Sequence, residues 1–199
     1  MRVSREQAQR NREHVIEVAS RLFRERGFDG IGVDDLMKEA GLTRGGFYGQ
    51  FKSKEDLKVE ASRRAFSTNK DKLSKVLAEP AEGTLAALAQ FYLSDAHIDR
   101  RGDGCALAAL SGDAPRYSPE LRAAFKDGIE DYLALIGSTL PDTSPEERRG
   151  KSVAALATMV GALVLARAVG HDDLSHEILS TAADDLAARS QDAPARKNS

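Results

Sequence analysis

The sequence predicts an all-α fold of about nine helices. Three observations carry that expectation. Apolar residues recur at helical spacing along most of the chain. No stretch alternates apolar and polar residues as a half-buried strand does. The strong helix formers Ala, Leu, Glu, Arg and Lys dominate the 199 residues. That length suits one large domain or two small ones. Apolar residues make up 41% and charged residues 30%, enough for a buried core beneath a well-solvated surface.

Each element has its own signals. Val15, Val18, Ala19, Leu22 and Phe23 form one apolar stripe, ended by Gly27 with Arg24 and Arg26 in the last turn. Val33, Leu36, Met37 and Ala40 form a second, short stripe, led by Asp34 and Asp35 and broken by Gly41. Thr43 is the expected cap of a third helix, Arg44 to Gln50, with Phe47 and Phe51 as its apolar face. Ser53 caps a fourth helix, which carries Glu55 and Asp56 in its first turn and runs to about Leu77.

Beyond Pro80 a helix is expected from Leu85 to about Ile98, then a loop from Arg100 to Gly104. The adhesion-like triplet Arg101-Gly102-Asp103 in that loop is given no role. A short helix follows from Cys105 to Ser111. Ser118 and Pro119 open the next, which ends before Pro141. Ser144, Pro145 and Glu147 make a capping box for a long apolar helix to about Val169. Asp172 or Asp173 opens the last helix, to about Arg189. Expected boundaries are a helix-turn-helix domain over 1–53, a helical effector-binding and dimerisation domain over 54–190, and a disordered tail over 191–199.

Composition excludes several classes of function. One cysteine leaves no internal disulfide framework and no multi-Cys zinc site. The absence of Trp, with 6% aromatics, argues against a carbohydrate cleft. No nucleophile elbow, His-Glu-x-x-His, Walker loop or dinucleotide fingerprint occurs, so an enzyme is not expected, nor a cofactor. Met1 to Arg12 is polar and charged, unlike a signal peptide. The apolar run Val153 to Ala166 has 14 residues and reads as a buried helix, short of the ~20 that span a membrane. A cytoplasmic protein with no membrane partner is expected.

The net charge of -2 excludes a globally basic protein that coats nucleic acid. Its distribution is uneven. Residues 1–64 carry 14 basic and 11 acidic side chains, a balance of +3, and residues 65–199 carry 15 and 20, a balance of -5. Arg2, Arg5, Arg10 and Arg12 make a basic arm able to lie in a groove, or simply a solvated helix start.

The most informative stretch is Val33 to Gln50. Two short helices flank a Gly-Leu-Thr turn, the spacing of a helix-turn-helix whose second helix enters a major groove, or of an ordinary helical hairpin. The third helix tips the balance. Gly45, Gly46 and Gly49 each cost a helix roughly 0.5–1 kcal/mol relative to Ala. A backbone that another molecule must approach closely has reason to carry that cost. Arg44 can fork onto a guanine edge, and the Thr43 and Tyr48 hydroxyls can donate to phosphate. Gln50 is suited to neutral phosphate contact, and Lys54 meets phosphate beside the free N–H groups of the fourth helix.

At these residues the run VIEVASRLFRERGFDGIGVDDLMKEAGLTRGGFYGQFKSKEDL resembles the DNA-binding domain of the TetR family of bacterial transcriptional regulators. The shared features are the Arg-Gly-Phe end of the first helix, the Ala-Gly-Leu-Thr turn, the Phe-Tyr-x-x-Phe helix and Ser-Lys-Glu-x-Leu. The resemblance implies phosphate contacts by Thr43, Tyr48 and Lys54, and a base-facing Arg44 and Gly45. It departs at Gly32, where members often carry a Ser or Thr cap, and at Gln50, where many have His or Tyr. It further implies a repressor that binds double-stranded operator DNA as a homodimer and is released by a small-molecule effector.

Under that resemblance the last two helices pair across a two-fold axis, through Ala154, Ala157, Gly161, Leu165, Ile178 and Ala182; burial within one chain is the alternative. Phe91, Tyr92, Cys105, Tyr117, Phe125, Tyr132 and Met159 either line the effector pocket or are plain core. Cys105 follows Gly104 at a helix start, where the dipole favours a thiolate. Some electrophile-sensing members resemble the chain there, so a redox or electrophile-sensing regulator acting through Cys105 is the alternative function. His171 and His176 lie five apart, the wrong spacing for one helix face, and no metal site is expected.

Overall fold

The computed structural model describes residues 4–79, 84–140 and 144–191. All regular structure among them is helical, in the order α1 (Arg5–Arg26), α2 (Val33–Glu39), α3 (Arg44–Tyr48), α4 (Lys54–Ala78), α5 (Leu85–Tyr92), α6 (Asp95–Asp99), α7 (Ala106–Leu110), α8 (Pro119–Gly137), α9 (Pro145–Val169) and α10 (Asp173–Gln191). The breaks expected at Pro80 and Pro141, and the tail from 192 on, lie outside the described residues.

The caps explain most boundaries. Ser4, Ser53, Ser118 and Ser144 each accept, through Oγ, the amide N–H three residues on, at 3.1, 3.1, 3.1 and 3.2 Å. Gly27 ends α1 at φ 76°, which a side chain would resist. The extra helix relative to the expected nine comes from a split at Leu93. There Leu93 turns out of helical geometry, and Ser94 takes an extended conformation with its Oγ bonded to the Phe91 carbonyl at 3.0 Å. Serine competing for backbone partners in this way is a helix stop that apolar spacing does not reveal. The expected loop 100–104 also holds a helical turn, Arg101–Asp103.

The chain forms two compact units, the first reaching to Asn69 and including Arg101–Gly128, the second made of Lys70–Arg100 and the residues from Ile129 on. Within the first unit the later segment is fastened to α1 and α4. The buried Arg24 guanidinium donates to the Gly104 carbonyl at 2.8 Å. Phe66 and Phe125 meet edge to face at 5.1 Å. Gly128 lies so close to the Phe66 ring that a Cβ there would fall 2.5 Å from it.

In the second unit α10 packs on α9 and α5, and α6 packs on α9. Arg167 donates to the His97 carbonyl at 2.6 Å, and His176 faces Asp95 at 3.1 Å. His171 bonds Asp99 at 2.5 Å, so the two spaced histidines each meet a carboxylate of α6. The sequence suggests that α9 is apolar and buried nearly all round. Ala155, Leu156, Met159, Ala162, Leu163 and Ala166 are buried, but Val153, Val164, Leu165 and Val169 remain exposed. The helix extends past the apolar run to 25 residues, long and apolar enough by length and composition to cross a membrane.

Candidate nucleic-acid interface

The reading head is built on buried aromatics. Phe47 and Phe51 are 1% and 3% exposed, with ring centroids 5.4 Å apart, and they anchor α3 on the inside. The turn before it depends on Gly41, at φ 67°. The Leu42 N–H then reaches the Met37 carbonyl at 2.8 Å, closing α2 onto the turn. These contacts leave the opposite side of a five-residue helix facing outward.

That outward side carries Thr43, Arg44, Gly45 and Tyr48, all exposed. Thr43 caps α3 through its backbone conformation, and its side chain makes no capping bond. Tyr48 is 62% exposed and stands edge-on to Phe47 at 5.3 Å. A Cβ on Gly45 would meet nothing within 4 Å, and one on Gly46 only Met37 Cε at 3.7 Å. Internal packing therefore demands glycine at neither position. Gly49 lies just past the helix, as its C-cap.

The remaining predicted contacts are arranged differently from one another. Lys54 is half-buried at the start of α4, its pKa lowered by burial first and by Lys58 next, against the pull of Asp29 and Glu55. Gln50 turns its Oε1 inward, buried and without a hydrogen-bond partner, so that its amide NH₂ is the end left to donate. Arg12 is taken up internally, 5.1 Å over the Phe51 ring and 3.3 Å from Glu60. Arg10 pairs with Glu6 and Gln7 of its own helix, and Arg2 lies outside the described residues.

Residues 15–61 match the family model for "Bacterial regulatory proteins, tetR family", a span that takes in all of α2 and α3. That stretch is a TetR-family helix-turn-helix region. The HTH-type transcriptional repressor NemR of Escherichia coli is 29% identical over 133 residues, which cover 65% of this chain and 66% of NemR, just under two thirds. LmrA of Bacillus subtilis, a transcriptional regulator, is 26% identical over 77% of this chain and 82% of its own. A solved structure of NemR superposes with a TM-score of 0.75 at 26% identity, over 89% of this chain and 95% of that one.

Outside the TetR head, the expected pocket residues have diverse surroundings. In the first unit Tyr117 donates to Asp29, Phe125 packs on Phe66, and Cys105 is wholly buried at the start of α7. In the second unit Tyr92 is buried against the His97 ring, Tyr132 and Met159 are buried, and Phe91 is 45% exposed. Of the expected dimer residues, Ala154, Ala157 and Leu165 are exposed; Gly161, Ile178 and Ala182 are half-buried. Ala157, Gly161, Leu165, Ile178 and Ala182 line one groove of about 630 Å³ between α9 and α10.

Two features escaped the sequence reading. Asp34, read only as a helix-starting acid, pairs with Arg44 across the head. Lys58, which no sequence signal singled out, is 6% exposed. Asp34 and Arg44 are ten residues apart across a turn, a pairing that no single-helix spacing reveals.

Proposed function

We propose that this chain is a repressor that binds a near-palindromic operator as a homodimer and is released by a small-molecule effector. It acts in the cytoplasm, by binding rather than catalysis. The observation that carries the reading is the outward face of α3, where polar side chains flank a glycine that nothing inside the protein requires. Thr43, Tyr48 and Lys54 hold phosphates, Arg44 reads a base edge, Gly45 admits the DNA, and Gln50 donates through its amide NH₂. The exposed apolar residues of α9 and the groove beside them support pairing of two chains. A two-fold pair sets two recognition helices about one DNA turn apart. Release requires that the effector bind the DNA-incompetent state more tightly.

Selection of bound sites from random duplexes by the purified protein tests this reading. A near-palindromic consensus supports it, and recovery of no preferred sequence overturns it. Release of the selected duplex by members of a compound panel then identifies the effector class.

A regulator triggered by chemistry at Cys105 is the second reading. Two observations favour it: Gly104, next to Cys105, is bonded to Arg24 of α1, and the solved NemR structure is described as a reduced form. The complete burial of Cys105 weighs against it, since reactive thiols are exposed. Unchanged release from DNA in Cys105→Ser eliminates it.

A further inference from the structure

Arg44 opens α3 and Asp34 stands in the first turn of α2. Their side chains meet across the turn, Nη1 to Oδ2, at 2.9 Å. Both are more than half exposed, 63% and 61%, so the pair stands on the outer face of the head. An exposed pair of this kind adds little to folding stability. Its effect therefore falls on whatever meets that face.

We propose that Asp34 is a specificity-determining residue, a carboxylate that fixes the Arg44 guanidinium for reading one base pair. The inference rests on the reading of Arg44 as a base contact. A guanidinium is a planar fork with five N–H donors. With Nη1 committed to Asp34, the fork keeps further N–H donors for guanine O6 and N7. Fixing the plane in the free protein removes rotamer freedom that binding would otherwise have to remove. Tyr48 assists from one turn on: its phenol first, and Asp34 second, raise the Arg44 pKa above its ordinary value.

The same carboxylate repels phosphate on any sequence. Asp34 thus weakens binding to all DNA while sharpening the one contact it orients, and discrimination benefits from both effects.

The test compares base preference and salt dependence of Asp34→Ala, Asp34→Asn, Arg44→Ala and the double variant Asp34→Ala/Arg44→Ala. Asp34→Ala is expected to bind unrelated DNA several-fold more tightly and to lose about tenfold preference at one symmetric base position. Asp34→Asn, which keeps an acceptor, is expected to retain part of that preference. The double variant is expected to discriminate no worse than Arg44→Ala. Full base preference in both Asp34 variants, with Arg44→Ala relaxed, overturns the role of Asp34 alone. So does loss in the double variant that adds to that of Arg44→Ala. An unchanged base profile in Arg44→Ala overturns the underlying reading and the inference with it.

Discussion

The Tyr117 hydroxyl donates to the Asp29 carboxylate at 2.8 Å, tying the turn after α1 to the residues leading into α8. Lys58 lies between them. Its Nζ is 3.7 Å from the centre of the Tyr117 ring, 3.8 Å from Asp29 and 3.3 Å from Glu55. Glu55 in turn accepts the Ser118 N–H at 3.1 Å. Three charged or polar side chains, Asp29, Glu55 and Tyr117, from three parts of the first unit thus share one cation, four residues after the half-buried Lys54.

Tyr117 should make stability fall at alkaline pH. Burial first, and the bond to Asp29 next, push its pKa up from 10.0 to about 12. The folded state holds that proton where the unfolded chain has released it. The contribution is full below pH 10 and is lost as pH rises through about 12. Urea midpoints across this window should fall less steeply in Tyr117→Phe than in the parent. Parallel curves would show that Tyr117 titrates normally.

Removing the Lys58 ammonium should strand its partners. Lys58→Met keeps the apolar stem and leaves the Asp29 and Glu55 carboxylates without a shared cation. A loss of about 1–3 kcal/mol in chemical unfolding is expected. A stability change near zero would mean that solvent replaces the ammonium at no cost.

Two glycine substitutions should have opposite signs. Gly128→Ala drives a methyl to 2.5 Å from the Phe66 ring and should destabilise by about 1–3 kcal/mol. A Cβ on Gly150, within α9, meets nothing within 4 Å, so Gly150→Ala should stabilise by about 0.5–1 kcal/mol. Thermal melts at one protein concentration distinguish the two, and equal shifts would contradict the packing described.

The groove between α9 and α10 gives the proposed dimer its test. Leu165 is 58% exposed, so Leu165→Glu should leave the folded chain intact while separating the pair. Sedimentation should then report a monomer with unchanged helical circular dichroism and much weaker operator binding. A dimer that persists in Leu165→Glu would move the interface elsewhere.

Most of the helices were legible because they depend on local signals. Apolar spacing marks their faces, and Ser53, Ser118 and Ser144 mark their starts within the same few residues. The anchoring of α3 by Phe47 and Phe51 was legible for the same reason. What local patterns conceal is partnership between distant segments. Nothing near Lys58 in the chain marks it out, since Asp29 and Tyr117 lie 29 and 59 positions away. Arg12 reads as part of a basic arm until α4 brings Glu60 against it. Residues 101–128 belong with the reading head because a buried arginine and a pair of phenylalanines connect them to it, and no composition change announces that.

The open space over Gly45 gives folding and target recognition different tolerances. A side chain there relieves a weak spot in the helix, so a screen that scores only yield or melting temperature will favour it. The same side chain fills the gap through which the duplex is expected to arrive. Better-behaved variants of this protein would then accumulate as well-folded molecules that have lost the proposed operator binding, and their defect would be invisible to every assay that omits DNA.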